Sequence, residues 1–82
     1  MDKTTITSGF RKGDRTRLIR DCHDLRFGDT IFEAGATGIL EQLYRVQDGK
    51  EVWSMRLDGR RTFGTFTIEP RIAVSHKDIE KV

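Results

Sequence analysis

The sequence has few cysteines, few prolines and no long apolar run. Cys22 is the single cysteine and Pro70 the single proline among the 82 residues. One cysteine cannot form an internal disulfide, so the sequence indicates a reducing compartment and predicts a cytoplasmic location. No apolar run approaches the roughly 18 residues that span a bilayer, and residues 1–9 lack the apolar core of a signal peptide. We therefore expect no membrane partner.

An excess of charge of one sign is also missing. The 15 Lys and Arg residues are nearly balanced by 13 Asp and Glu residues, which leaves a net charge of +2. This excess is too small to indicate a partner on its own. Arginines outnumber lysines by ten to five, and a guanidinium binds phosphates and carboxylates through a planar fork of donors that an ammonium lacks.

Length and polarity bound the architecture. A chain of 82 residues, 35% hydrophobic and 34% charged, is expected to form one domain with a thin core. Residues 1–10 are polar at their start and rich in threonine, and they are predicted to be a flexible lead-in. Residues 11–82 are predicted to be the folded domain.

Alternating apolar and polar residues predict an all-β fold. Residues 51–57 place Trp53, Met55 and Leu57 on one face, which is typical of a half-buried strand. Further strands are predicted at residues 15–20, 39–46, 62–68 and 71–75, with 30–32 as a short strand or packed loop. Residues 21–29 are predicted to be a long loop, and residues 76–82 a short helical turn. Five short strands favour a small barrel.

The segment at residues 39–46 is ambiguous. Ile39, Leu43 and Val46 are spaced i, i+4, i+7, as on a helix face. A strand would instead place Leu40, Gln42, Tyr44 and Val46 together. We favour the strand because glycines bound the segment. Gly35 and Gly38 are interpreted as a tight bend that needs backbone freedom.

The order of these positions resembles SH3-like barrels. The resemblance covers residues 11–82 and rests on Gly13-Asp14, on Gly35-x-x-Gly38-Ile39, on Arg56-Leu57-Asp58-Gly59 and on Asp78-Ile79-Glu80. It implies a five-stranded barrel that ends in a short helical turn. The glycine pair resembles KOW-type domains, which bind RNA or protein. Gly13-Asp14-Arg15 resembles the plasmid-borne type of dihydrofolate reductase, but the Val-Gln-Ile-Tyr motif of that family is missing from residues 71–75, so its activity is not implied.

Neither a metal site nor a catalytic site is predicted. The stretch Asp21-Cys22-His23-Asp24 is the only cluster of metal-ligand types, and with His76 as the other imidazole it does not supply the set that a zinc site requires. Adjacent Cys22 and His23 do not form a nucleophile and base pair. We expect no cofactor. Of the aromatic residues, Trp53, Phe66 and Phe32 are predicted to be core, and Tyr44 and Phe63 to be exposed.

The basic residues suggest a function as a non-catalytic binding module. They fall into two groups, at residues 11–20 and 45–61, and a barrel that brought them onto one face beside an aromatic would suit a nucleic acid. The predicted nucleic-acid-binding residues are Arg15, Arg17, Arg45, Lys50, Arg56, Arg60, Arg61, Tyr44 and Phe63. The alternative is a protein-interaction or inhibitor module from a mobile element that could associate with itself. The third hypothesis is a small oligomeric enzyme of the plasmid-type reductase kind.

Overall fold

The computed structural model describes residues 8–82, and most of them lie in strands. The strands are β1 (Arg15–Leu18), β2 (Cys22–His23), β3 (Ile31–Phe32), β4 (Thr37–Gln47), β5 (Lys50–Leu57), β6 (Arg61–Phe63), β7 (Phe66–Ile68), β8 (Arg71–Ser75) and β9 (Ile79–Lys81). Two 3₁₀ turns, at Leu25–Phe27 and His76–Asp78, are the only helical segments in this part of the chain. The predicted all-β class is therefore confirmed.

The strands form one main sheet and two small ladders. The main sheet is antiparallel, with the strand order β8-β5-β4-β1-β9. β2 pairs with β3, and β6 pairs with β7. The described sheets are not closed into a barrel, because β8 and β9 remain the two edges of the main sheet. The structure therefore shows a small antiparallel β fold. In the described residues it does not show the closed five-stranded barrel that the sequence predicts.

Strand β4 contains two irregularities that set which residues face the core. Its pairing with β5 shifts register between Leu40 and Gln42 and again between Leu43 and Arg45. Each shift inserts one extra residue, as in a β-bulge. The core-facing positions of β4 therefore follow a spacing of three rather than two, and they are Leu40, Leu43 and Val46, opposite Met55, Trp53 and Glu51. The predicted strand is confirmed, but the predicted face of Leu40, Gln42, Tyr44 and Val46 is wrong.

Two glycines at the start of β4 are needed for different physical reasons: Gly35 precedes the strand, and Gly38 is its second residue. Gly35 has a φ of +96°, which confirms the predicted need for backbone freedom there. Gly38 has no positive φ. A Cβ at Gly38 would lie 2.3 Å from the carbonyl oxygen of Arg56 on β5. Gly38 therefore allows two backbones to approach closely, which the sequence pattern did not predict.

The core lies on the inner face of the main sheet. Its buried hydrophobic members include Trp53, Phe32, Leu40, Met55, Leu57, Ile72 and Ile79. Trp53 and Phe32 confirm two of the three predicted core aromatics. Phe66 is 70% exposed, so its predicted burial is wrong. Phe63 packs against the core with its ring centroid 4.8 Å from that of Phe27, so its predicted exposure is also wrong.

The buried carboxylate of Glu51 ties the N-terminal described residues to the core. It accepts hydrogen bonds from the backbone N–H of Ser8 at 2.9 Å and from Nε1 of Trp53 at 3.1 Å. The backbone N–H of Glu51 donates to Nδ1 of His76 at 2.9 Å. Of the lead-in predicted over residues 1–10, residues 1–7 lie outside the described part, and Phe10 is buried in the core.

Three other segments differ from the sequence prediction. Residues 62–68 form a hairpin, β6 and β7, rather than one strand, because Gly64 with a φ of +61° starts the turn. The loop predicted at residues 21–29 contains β2 and the first 3₁₀ turn. The helical turn predicted over 76–82 is limited to His76–Asp78, after which β9 pairs with β1.

Asp24 and Arg26 cover the free edge of β8. Oδ2 of Asp24 accepts a hydrogen bond from the backbone N–H of Ala73 at 3.1 Å, and a terminal guanidinium nitrogen of Arg26 donates to the carbonyl oxygen of Arg71 at 3.1 Å. The two side chains also pair with each other at 2.7 Å. This pair takes up backbone groups that an unpaired edge strand would otherwise present to another chain.

The capping role of Asp24 predicts a pH-dependent stability. Its hydrogen bonds from the Arg26 side chain, together with that from the Ala73 backbone, lower the pKa of Asp24 to about 2 from its ordinary value of 3.8. Because the folded pKa is depressed, the stabilisation is complete above about pH 4 and is lost as the pH falls towards 2. We expect Asp24→Asn to lower the free energy of unfolding by about 2 kcal/mol at neutral pH.

Urea denaturation between about pH 7 and pH 2 measures this effect, with the difference between variant and wild type shrinking as Asp24 is protonated. Asp29→Asn is the matched control, since Asp29 is exposed and forms no ion pair among residues 8–82. A pH-independent difference for Asp24→Asn would contradict the electrostatic account.

Candidate nucleic-acid interface

A row of arginines crosses four strands on the outer face of the main sheet. Arg15 on β1 is opposite Ile39 on β4, Ile39 is opposite Arg56 on β5, and Arg56 is opposite Arg71 on β8. Directly opposed residues of an antiparallel sheet point to the same face, with Cβ atoms about 5 Å apart. We call Arg15, Arg56 and Arg71 the arginine row.

Carboxylates accompany every member of the arginine row. Arg15 pairs with Asp58. Nε of Arg71 lies 2.6 Å from Oε1 of Glu41, and Nε of Arg56 lies 3.6 Å from Oε2 of the same Glu41. Arg56 also lies 3.8 Å from Glu69. All of these guanidinium groups are more than one-third exposed, and exposed ion pairs contribute only about 0–1 kcal/mol, so a phosphate can exchange for the carboxylates at small cost.

The pKa of the Asp58 carboxyl is lowered by its neighbours on this face. The hydroxyl of Thr37 donates to Oδ2 of Asp58 at 2.7 Å. This hydrogen bond first, and the Arg15 guanidinium second, lower the pKa of Asp58. The Asp58 carboxylate therefore stays charged and holds Arg15 over the sheet at neutral pH.

A concavity of about 450 Å³ opens beside the arginine row. Its walls include Lys12, Glu41, Tyr44, Ser54, Arg56 and Arg71. A second concavity, of about 220 Å³, is lined by Arg56, Arg60, Glu69 and Arg71 among others. Arg56 and Arg71 line both, so they form the ridge between the two.

Tyr44 is the exposed aromatic of this face. It is 43% exposed, as predicted. It is the extra residue at the second irregularity of β4, and it lines the larger concavity. Its hydroxyl also interacts with the guanidinium of Arg26, whose pKa is raised mainly by the Asp24 carboxylate and in smaller part by Tyr44. Tyr44 therefore presents a half-exposed ring at the wall of the larger concavity.

Most of the predicted binding residues lie on the outer face of the main sheet, spread along β1, β4 and β5. Arg17 shares the face of Arg15, Arg45 is opposite Val52, and Lys50 is two residues before Val52. Arg45, Lys50 and Arg60 form no ion pair within residues 8–82, so their charge is not offset locally. Arg60 lies at the smaller concavity.

Two predicted binding residues lie elsewhere. The guanidinium of Arg61 sits 5.2 Å from the ring centroid of Phe32. Phe63, on the same strand, packs on Phe27. The hairpin of β6 and β7 turns both side chains towards the β2–β3 segment, so neither joins the arginine row.

Four residues of this surface were not predicted from the sequence. Arg71 completes the arginine row, Glu41 bridges two arginines, and Lys12 lines the larger concavity. Arg26 contacts Tyr44. The position of Arg71 could have been recognised from the sequence, because it is a basic residue at the start of the predicted strand that follows Pro70. The others come from distant segments that meet only in the folded sheet.

The groups considered for other chemistry do not assemble into a site. Burial raises the pKa of the buried Cys22 thiol, with further contributions from Asp78 and other charged neighbours. In the part of the chain that the structure describes, no group of three or more His, Cys, Asp or Glu residues is placed to hold a metal ion. The same residues include no helix long and apolar enough to span a membrane.

Fold and surface together define a small antiparallel β domain with an arginine-rich sheet face. The chain matches no known family model, no curated protein and no solved structure. Function is therefore inferred from the chemistry of this surface.

Proposed function

We propose that the protein is a non-catalytic nucleic-acid-binding module that uses the outer face of its main sheet. The observation that carries the proposal is the arginine row of Arg15, Arg56 and Arg71. The same face of the sheet also carries Arg17 on β1, Arg45 on β4 and Lys50 on β5. Arginine forks match phosphate oxygens, and a basic face that follows one direction across a sheet suits a phosphate backbone.

The carboxylates on the same face are expected to lower the affinity of this surface for nucleic acid. Asp58, Glu41 and Glu69 neutralise part of the arginine row until a phosphate replaces them. Binding is therefore expected to be moderate at physiological salt, since each phosphate contact of the arginine row must release a carboxylate as well as a counterion. The SH3-like identity of the fold is part of the proposal, supported by the pairing of β1 with the last strand, β9.

A protein-interaction module is the second candidate. Leu25 is 94% exposed and Phe66 is 70% exposed. Both lie near the Phe27 and Phe63 contact, because Leu25 shares the 3₁₀ turn of Phe27 and Phe66 is opposite Phe63. Exposed apolar groups of this kind favour contact with another protein. The oligomeric enzyme has no specific observation in its favour.

Fluorescence anisotropy tests the proposal. Labelled single-stranded and duplex oligonucleotides are titrated with the protein at about 50 mM and about 200 mM salt. Saturable binding that weakens by tenfold or more between the two salt concentrations is expected for several phosphate contacts. Absence of binding to every oligonucleotide at the lower salt would reject nucleic-acid binding and leave the protein-interaction candidate.

A further inference from the structure

We propose that the larger concavity holds one unpaired base of a single strand, stacked on Tyr44, while Arg56 and Arg71 hold the neighbouring phosphates. The inference rests on the proposed function and deepens it by naming the ligand as a single strand. The volume of the larger concavity, about 450 Å³, lies in the range of about 300–1,000 Å³ that is typical of small-ligand sites. A base within a duplex cannot reach such a site without leaving its stack.

The wall residues supply the two kinds of contact that single-strand recognition uses, which are base stacking and phosphate binding. Tyr44 offers a half-exposed ring, and base stacking on an aromatic ring tolerates every base. Arg56 and Arg71 offer guanidinium donors on the ridge between the two concavities. Arg60, at the smaller concavity, is placed for the next phosphate along the strand. One aromatic ring and three guanidinium groups therefore line the two concavities, which suits one base and its neighbouring phosphates.

Glu41 adds a preference among bases. Its Oε1 already accepts a hydrogen bond from Nε of Arg71, and its Oε2 lies 3.6 Å from Nε of Arg56. A carboxylate retains further acceptor sites. An acceptor beside two guanidinium donors complements a base edge that has an amino group next to an acceptor, as adenine and cytosine have. Uracil presents a carbonyl where those bases present the amino group. We therefore expect adenine and cytosine oligomers to bind more tightly than uracil or thymine oligomers.

The first test compares base-containing and abasic oligomers of about eight nucleotides, within the usual span of a single-strand site. Tyr44→Leu is expected to weaken binding of the oligo-adenosine and oligo-cytidine about fivefold or more. It should leave binding of the abasic oligomer unchanged, because phosphate contacts do not involve the ring. Tyr44→Phe is the matched control, because it keeps the stacking surface and loses only the hydroxyl at Arg26.

The second test uses Glu41→Gln. Wild-type protein should prefer oligo-cytidine over oligo-uridine by about fivefold. The variant should bind oligo-uridine more tightly, since Arg56 and Arg71 lose their carboxylate, and should lose the preference for oligo-cytidine. Ribose and deoxyribose versions of each oligomer distinguish RNA from DNA as the source, because only RNA offers the 2′-hydroxyl.

The outcomes separate this inference from the proposed function. If oligomers bind in a salt-dependent way but Tyr44→Leu weakens abasic and base-containing oligomers equally, the stacked base is refuted and the nucleic-acid interface stands. Duplex binding tighter than single-strand binding would also refute the inference. If no oligomer or duplex binds at about 50 mM salt, the proposed function itself fails.

Discussion

Replacing Arg56 with glutamate is expected to weaken binding to single-stranded nucleic acid by at least about tenfold, since a hydrogen bond to a charged group contributes about 1.5–3 kcal/mol. Arg56 lies at the centre of the arginine row and lines both concavities. The new carboxylate would sit beside Glu41 and Glu69, so three negative charges would face the phosphates. Anisotropy titrations measure the loss.

The salt dependence of the same titrations shows whether the loss of affinity comes from a lost phosphate contact. Arg56→Ala should reduce the slope of log affinity against log salt by about 0.7, the value for one lost contact with a single strand. Arg20→Glu is the matched control, because Arg20 is exposed, pairs with Asp78 at 3.2 Å and lines neither concavity. Equal losses for Arg56→Glu and Arg20→Glu would show that net charge, and not this surface, governs binding.

Gly38→Ala is expected to cause the largest loss of stability, about 3 kcal/mol, which is the upper end for an overpacked site. The added Cβ would meet the carbonyl oxygen of Arg56 at 2.3 Å and its carbonyl carbon at 2.9 Å. Both atoms belong to the backbone of the paired strand, so no side chain can move aside. Relief requires β4 and β5 to separate where Gly38 is opposite Leu57.

Urea and thermal denaturation measure the effect, and a domain of this size should lose about 12 °C or more in Tm. Gly64→Ala provides the comparison, because Gly64 has open space around it and a φ of +61°. Only the left-handed backbone opposes that substitution, at about 1–2 kcal/mol. If both variants lose the same stability, close approach of the two strands is not what requires glycine at position 38.

The class of fold could be predicted from the sequence, but the pattern of β4 could not. The alternation of Trp53, Met55 and Leu57 correctly predicts β5, because that strand has no bulge. In β4 the two irregularities convert a period of two into a spacing of three. Apolar residues at that spacing resemble one side of a helix, which is why residues 39–46 fit both periods. Bulges depend on the partner strand, and a single sequence does not reveal them.

The hairpin of β6 and β7 shows a second limit. The sequence predicts one strand over residues 62–68, whereas Gly64, with a φ of +61°, starts a turn that divides it into two strands. The turn also reverses the environment of the aromatics: Phe63 reaches Phe27 in the core region, and Phe66 stays exposed. Apolar character alone does not decide which of two neighbouring phenylalanines is buried, because the contact partner comes from a distant segment.

The sequence predicts that the candidate site consists of basic residues, but it identifies only some of the residues that form it. The two basic groups converge because β4 lies between β1 and β5, which brings Arg15 and Arg56 into one row. Arg60 and Arg61 are adjacent in sequence, yet only Arg60 faces a concavity that Arg56 lines. Arg71 joins the row because β8 pairs with β5. Strand order, which sequence patterns leave open, decides each of these placements.

The most direct test of the nucleic-acid interface is an amide NMR titration of isotope-labelled protein with a single-stranded oligonucleotide of about eight nucleotides at low salt. Shifts are expected at Arg15, Ile39, Tyr44, Arg56 and Arg71, and they should diminish as salt is added. Residues of the β6–β7 turn and Leu25 should remain unperturbed. Shifts confined to Leu25 and Phe66, or no shifts at all, would contradict the assignment of the outer sheet face as the binding surface.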